Sequence, residues 1–141
     1  MKRYFAYGSN LWRQQMRDRC PDHTVIGKGI LRGYRWIIST RGYANIVKSN
    51  LDEVHGTVYE ISDSDERSLD TEEGVSSDCY RREMLNIEID GERQECLVYV
   101  DPREGEGSPK QEYILRINNG ISDSKLPPWY VDTYIRKFIP A

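Results

Sequence analysis

The sequence predicts an α+β protein: a small mixed or antiparallel β-barrel with short flanking helices. Three observations carry this reading. Strand-like stretches rich in Tyr, Val and Ile recur between turn residues, whereas the helical patterns are few and short. Glycines at 27, 29, 33, 42 and 56 fall in or beside strand-like segments, as a strongly curved sheet requires. No repeat, low-complexity tract or linker divides the 141 residues, so one domain, 1–141, is expected.

Lys2 to Tyr7 reads as the first strand, closed by Gly8-Ser9-Asn10. A short helix is expected over Leu11 to Arg19, capped by Ser9 or Asn10, with Leu11, Gln15 and Met16 on one stripe and Pro21 ending it. Val25 to Leu31 and Tyr34 to Thr40 read as two strands parted by Arg32-Gly33, and Glu53 to Ile61 as another. Ser62 caps a helix with Asp63, Asp65 and Glu66 in its first turn. It ends near Glu73, where Gly74 is a natural stop. Asp90-Gly91 marks a hairpin between Tyr80–Ile89 and Gln94–Val100. After a polar loop, Asp101 to Ser108, a helix opens at Ser108-Pro109 and runs through Asn119, with Gly120 past its end. A last amphipathic helix follows Pro127-Pro128, with Trp129, Val131, Tyr134, Ile135 and Phe138 as its buried stripe.

A net charge of −3 gives no reason to expect nucleic acid or an anionic membrane as partner. Three widely spaced cysteines, Cys20, Cys79 and Cys96, do not make a disulfide framework and are read as reduced thiols. With no apolar leader or spanning run, a cytoplasmic location is expected. Cys20-Pro21-Asp22-His23 has a C-x-x-H spacing but no second pair to complete a zinc site, so no metal is expected. A serine or cysteine hydrolase needs a base beside its nucleophile, and only His23 and His55 are available.

Two stretches about sixty residues apart carry the chemistry. Tyr7-Gly8-Ser9-Asn10-Leu11 is a strand-to-helix turn that gathers backbone N–H groups at a helix start, a place able to hold a carboxylate. An ordinary N-capped turn has the same composition. Glu73 ends a helix, where the dipole disfavours an acid, and Tyr80 downstream could donate to it. A solvated acid in an acidic run is the plainer reading of Glu73 taken alone.

Taken together, Phe5-Ala6-Tyr7-Gly8-Ser9-Asn10-Leu11, Leu31-Arg32-Gly33-Tyr34, Asn45-Ile46, Val54-His55-Gly56-Thr57-Val58-Tyr59 and Leu69-Asp70-Thr71-Glu72-Glu73-Gly74-Val75 with Tyr80-Arg81 resemble the gamma-glutamyl cyclotransferase-like family in order and spacing. The resemblance runs from Tyr4 to about Val100 and is weak in the tail. It implies a small barrel and a cofactor-free reaction that cuts a gamma-glutamyl amide by cyclisation, releasing 5-oxoproline and an amine or amino acid. It further implies that Tyr7, Gly8, Ser9, Asn10 and Leu11 line the substrate loop, with Tyr80 and Tyr113 as further contacts, and that Glu73 is the acid–base residue. Glu72 directly precedes Glu73, and Glu73 is chosen because Gly-Val follows it. The partner implied is a small gamma-glutamyl substrate. The oligomeric state is left open, a homodimer included.

The rival reading is a non-catalytic module of the same fold, binding a small molecule or a single-stranded nucleic acid. Arg13, Arg17, Arg19, Lys28, Arg32 and Arg35 near many aromatics would serve the latter.

Overall fold

Five strands close on themselves in the order β1-β3-β2-β4-β5. The computed structural model describes all residues, Met1–Ala141. The strands are β1 (Lys2–Ala6), β2 (Thr24–Ile38), β3 (Ala44–Ile61), β4 (Arg81–Ile89) and β5 (Glu92–Val100). Four neighbouring pairs are antiparallel: β1 with β3, β2 with β3 and β4, and β4 with β5. Closure comes from one parallel contact, Tyr4 beside Leu97, between β1 and β5. The barrel is therefore mixed.

β2 runs as one strand rather than the two expected. The register shifts between Arg32 and Tyr34, where Gly33 takes φ +86°. A glycine accepts that angle without a Cβ clash, so β2 passes through the irregularity and continues, the extra residues lying opposite on β3. β3 likewise starts at Ala44, nine residues before Glu53. Between the Lys48–Tyr34 and Glu53–Arg32 pairs it has four residues where β2 has one, and Leu51 among them is 97% exposed. The Asp90-Gly91 hairpin is as expected, with both residues at positive φ.

Four short helices flank the barrel: α1 (Arg13–Arg19), α2 (Asp63–Glu72), α3 (Gln111–Asp123) and α4 (Pro128–Tyr130). α2 is the one whose start was fully legible. Ser62 Oγ accepts from Asp65 N at 3.1 Å and Asp65 Oδ2 accepts from Ser62 N at 3.2 Å, a complete capping box. Before α1, Ser9–Leu11 is a 3-10 turn, and neither Ser9 nor Asn10 caps a helix; the N-cap is Trp12, without a side-chain bond. α3 begins at Gln111, not at Ser108-Pro109, and runs on through Gly120. A Cβ at Gly120 would meet Leu11 Cβ at 2.8 Å and Trp12 N at 3.1 Å. That glycine is a packing contact inside the helix, not a stop; the helix ends at Ser124, followed by Lys125 at φ +51°.

The last helix also departs from the expected stripe. One α-turn passes into a π-turn at Val131–Ile135, which changes the angle between successive residues. Tyr130, Val131, Ile135 and Ile139 face the core, while Trp129 is 51% exposed against His55. One apolar core extends from Tyr4 to Ile139. Burial pushes the Cys20 and Cys96 thiols up, to about 12 and about 11, and all three cysteines are free. No helix is long and apolar enough to cross a membrane.

Candidate active site

Beside the end of β1 lies a cleft of about 330 Å³. Tyr7, Gly8, Ser9, Asn10, Glu73, Tyr80 and Tyr113 all line it, although they come from four separate parts of the chain. Leu11, grouped with them in the sequence, does not. It is 1% exposed beneath α3, where Ser124 Oγ donates to its carbonyl at 3.0 Å.

The Gly8-Ser9-Asn10 turn gives its first bond from Leu11 N to Gly8 O, at 3.1 Å. The N–H groups of Gly8, Ser9 and Asn10 stand ahead of that bond and take no part in it, as at any helical start. The turn is braced rather than mobile. Gln15 Nε2 donates to Ser9 Oγ at 2.7 Å and to Asn10 Oδ1 at 2.8 Å. Asn10 Nδ2 donates to Tyr4 Oη at 2.9 Å, and Tyr59 Oη donates to the Asn10 carbonyl at 2.9 Å. The side chain of Asn10 is thus largely consumed in holding the turn. Gln15, expected on an apolar stripe, is a buried bracing group.

Glu73 caps the C-terminus of α2, its N–H bonded to Leu69 O at 2.8 Å. Gly74 follows at φ +63°, turning the chain away as a left-handed residue. The side chain enters the cleft, and burial raises its carboxyl to about 7. Arg19 and Arg41 pull the other way, while Glu72 adds to the rise. Tyr80 does not donate to Glu73. Its hydroxyl donates to the Ala44 carbonyl at 2.7 Å, as Tyr7's does to the Tyr99 carbonyl at 2.5 Å. Tyr113 Oη instead accepts from Ala44 N at 3.3 Å and sits 3.1 Å from where a Gly8 Cβ would be. Burial raises Tyr7, Tyr80 and Tyr113 alike, Tyr113 to about 12, so at neutral pH they are uncharged.

A partly buried carboxyl raised toward neutrality, in one cleft with a strand-to-helix turn, is the arrangement of proton transfer beside an anion-binding turn. Residues 4–117 match the family described as gamma-glutamyl cyclotransferase, AIG2-like. The chain belongs to that family. Among its relatives, the gamma-glutamylcyclotransferase of Mus musculus is 30% identical over 140 residues, spanning 90% of this chain and 73% of that protein. The Homo sapiens gamma-glutamylcyclotransferase is 28% identical over the same shares. A solved gamma-glutamyl cyclotransferase structure superposes with a TM-score of 0.88 at 26% identity, covering 99% of this chain and 89% of that one.

Within this cyclotransferase fold, several cleft residues carried no sequence signal. Arg41 sits in the turn between β2 and β3, and Tyr43 just after it stacks edge-on against Tyr113, centroids 5.2 Å apart. Arg116 reaches the cleft from α3 and donates to Gln15 Oε1 at 3.1 Å. Arg19 was grouped with a basic surface stretch; in the structure it donates to Asn10 Oδ1 at 3.1 Å. Others of that stretch are committed to acids: Arg32 to Glu53 and Glu88, Arg35 to Glu106. They form no continuous basic platform for a nucleic acid.

Proposed function

We propose that this chain is a cofactor-independent gamma-glutamyl cyclotransferase, releasing 5-oxoproline and an amine or amino acid, with Glu73 as its acid–base residue. The observation that carries the reading is Glu73 itself: a buried-side carboxyl raised to about 7, in one cleft with the Gly8-Ser9-Asn10 turn. A binding module has no use for a carboxylate held near neutrality, and nothing in the cleft favours that alternative.

The reaction is intramolecular. The substrate's α-amine attacks its own γ-carbonyl carbon, a C–N bond forms to close a five-membered ring, and the amide C–N bond breaks. The protein supplies no nucleophile and activates no water. Folding the substrate so that amine and carbonyl meet supplies on the order of 7–11 kcal/mol of the barrier reduction. The α-amine arrives as an ammonium, and Glu73 takes its proton and delivers it to the departing amine. An acid of ordinary pKa would be too weak a base for the first transfer and, once protonated, too strong an acid to wait for the second. A value near 7 serves both. The N–H groups of Gly8, Ser9 and Asn10 hold the α-carboxylate or the oxyanion that develops at the γ-carbon. Neutral Tyr7, Tyr80 and Tyr113 wall the reacting atoms without adding charge.

The test is 5-oxoproline release from gamma-glutamyl amino acids and gamma-glutamyl amines, with wild type and Glu73→Gln. Loss of about 10²- to 10⁴-fold in kcat is expected for the variant. Equal turnover by a folded Glu73→Gln protein would remove Glu73 from the mechanism. No release from any compound would refute the activity.

A further inference from the structure

Two arginines fix the direction of a hydrogen-bond chain that ends in the cleft. Arginine carries donors only, so any oxygen that meets one is held as an acceptor. Arg116 Nη1 donates to Gln15 Oε1 at 3.1 Å, and Arg116 Nη2 is paired with Glu112 at 2.9 Å. Arg19 Nη1 donates to Asn10 Oδ1 at 3.1 Å. The Gln15 carboxamide therefore has one orientation, its oxygen towards Arg116 and its nitrogen towards the turn. Both N–H groups of that nitrogen are engaged, one on Asn10 Oδ1 at 2.8 Å and one on Ser9 Oγ at 2.7 Å. Ser9 Oγ thus accepts from Gln15, and its single proton leaves in another direction. The Ser9 hydroxyl bonds the Tyr113 oxygen, which also accepts from Ala44 N at 3.3 Å. With both lone pairs of that oxygen taken, the Tyr113 proton is left to turn into the cleft that Tyr113 lines.

We propose that Gln15 and Arg116 are positioning residues of the reaction: they set the polarity of this chain, so that Tyr113 meets the gamma-glutamyl group as a hydrogen-bond donor. The proposal rests on the cyclotransferase reading. Neither residue takes part in proton transfer; both act through Ser9 and Tyr113. Were the Gln15 carboxamide turned round, its oxygen would take the Ser9 proton. Tyr113 would then lose a donor and could point its own proton back at Ser9, away from the substrate. Bonds that all run in one sense also polarise one another, which strengthens the last donor in the row.

The experiment is a double-mutant cycle of Arg116→Met and Tyr113→Phe, read as kcat/KM for 5-oxoproline release from the compound of the panel above that wild type turns over fastest. Tyr113→Phe should lower kcat/KM by about 10- to 100-fold, the loss of one bond to a charged oxygen. Arg116→Met should lower it about three- to tenfold while Tyr113 is present. In the Tyr113→Phe background, where no proton is left to direct, the same change should cost less than about twofold. Arg116→Lys can also only donate and should recover most of the loss. Gln15→Glu keeps the shape but can only accept, and should lose more than Arg116→Met. Additive losses in the cycle, or a Gln15→Glu protein as active as wild type, would overturn the proposal and leave the cyclotransferase reading standing. If wild type releases 5-oxoproline from no compound of the panel, both fall. Should Arg116→Met fail to fold, Arg116→Gln, which can donate or accept and so fixes no direction, takes its place in the cycle.

Discussion

Replacing Glu73 by glutamine should stabilise the protein, and by an amount that depends on pH. The carboxyl titrates at about 7 in the folded chain against an ordinary value of 4.5. A raised carboxyl has a definite sign. Below 4.5 it is protonated in folded and unfolded chains and costs nothing. Between 4.5 and 7 the unfolded chain ionises while the folded chain stays protonated, so stability falls as pH rises through that window. Above 7 the loss is complete, at about 3 kcal/mol for this difference in pKa. Glutamine keeps the shape and removes the titration. At pH 8 Glu73→Gln should therefore unfold about 3 kcal/mol harder than wild type, roughly 6–12 °C in Tm for a chain near this size. At pH 5 the gain should be under about 1 kcal/mol. Thermal or urea unfolding of both proteins at the two pH values measures the difference directly, and any pH-independent effect of the amide cancels. A Tm gap that is the same at pH 5 and pH 8, or a variant less stable at pH 8, would refute the claim that burial holds this carboxyl near neutrality. The same substitution is expected to lower kcat by about 10²- to 10⁴-fold, so the cost in stability is one the active site imposes.

Turnover should follow the same group from the other side: kcat/KM for 5-oxoproline release should rise with pH through about 7, as Glu73 ionises, and flatten above it. A flat profile between pH 5.5 and 8.5 would contradict the assignment. Gln15→Leu removes the donor that braces Ser9 and Asn10, and should lower kcat/KM by about tenfold or more while near-ultraviolet circular dichroism stays native. Gly120→Ala places a Cβ 2.8 Å from Leu11 Cβ, and should cost about 1–3 kcal/mol in urea unfolding despite alanine's better helix propensity. Ser62→Ala breaks the capping box of α2 and should cost about 1 kcal/mol by the same measurement.

The sequence by itself determined what local physics can encode. The Asp90-Gly91 hairpin, the Ser62–Asp65 capping box and the Gly74 stop that leaves Glu73 at the end of α2 each rest on a few adjacent residues whose backbone preferences agree. The order of two motifs, sixty residues apart, was enough to resemble a family. Where local rules misled, a distant neighbour had overruled them. Gly120 read as a helix end because only the folded chain brings Leu11 beneath it. Gly33 read as a break because only pairing with β3 on both sides of it carries the strand through. Trp129 read as core because the π-turn after it, which breaks the 3.6-residue stripe, has no sequence mark. The site divides along the same line. Tyr7, Gly8 and Glu73 were legible as residue types in motifs, but the burial that moves Glu73 to about 7 exists only when distant parts of the chain close around it. Arg41 was not legible at all. Its place in the cleft is fixed by Tyr43, Tyr80 and Asp101, which closure of the barrel gathers around it, and burial and charge pairing are properties of that assembly, not of any segment.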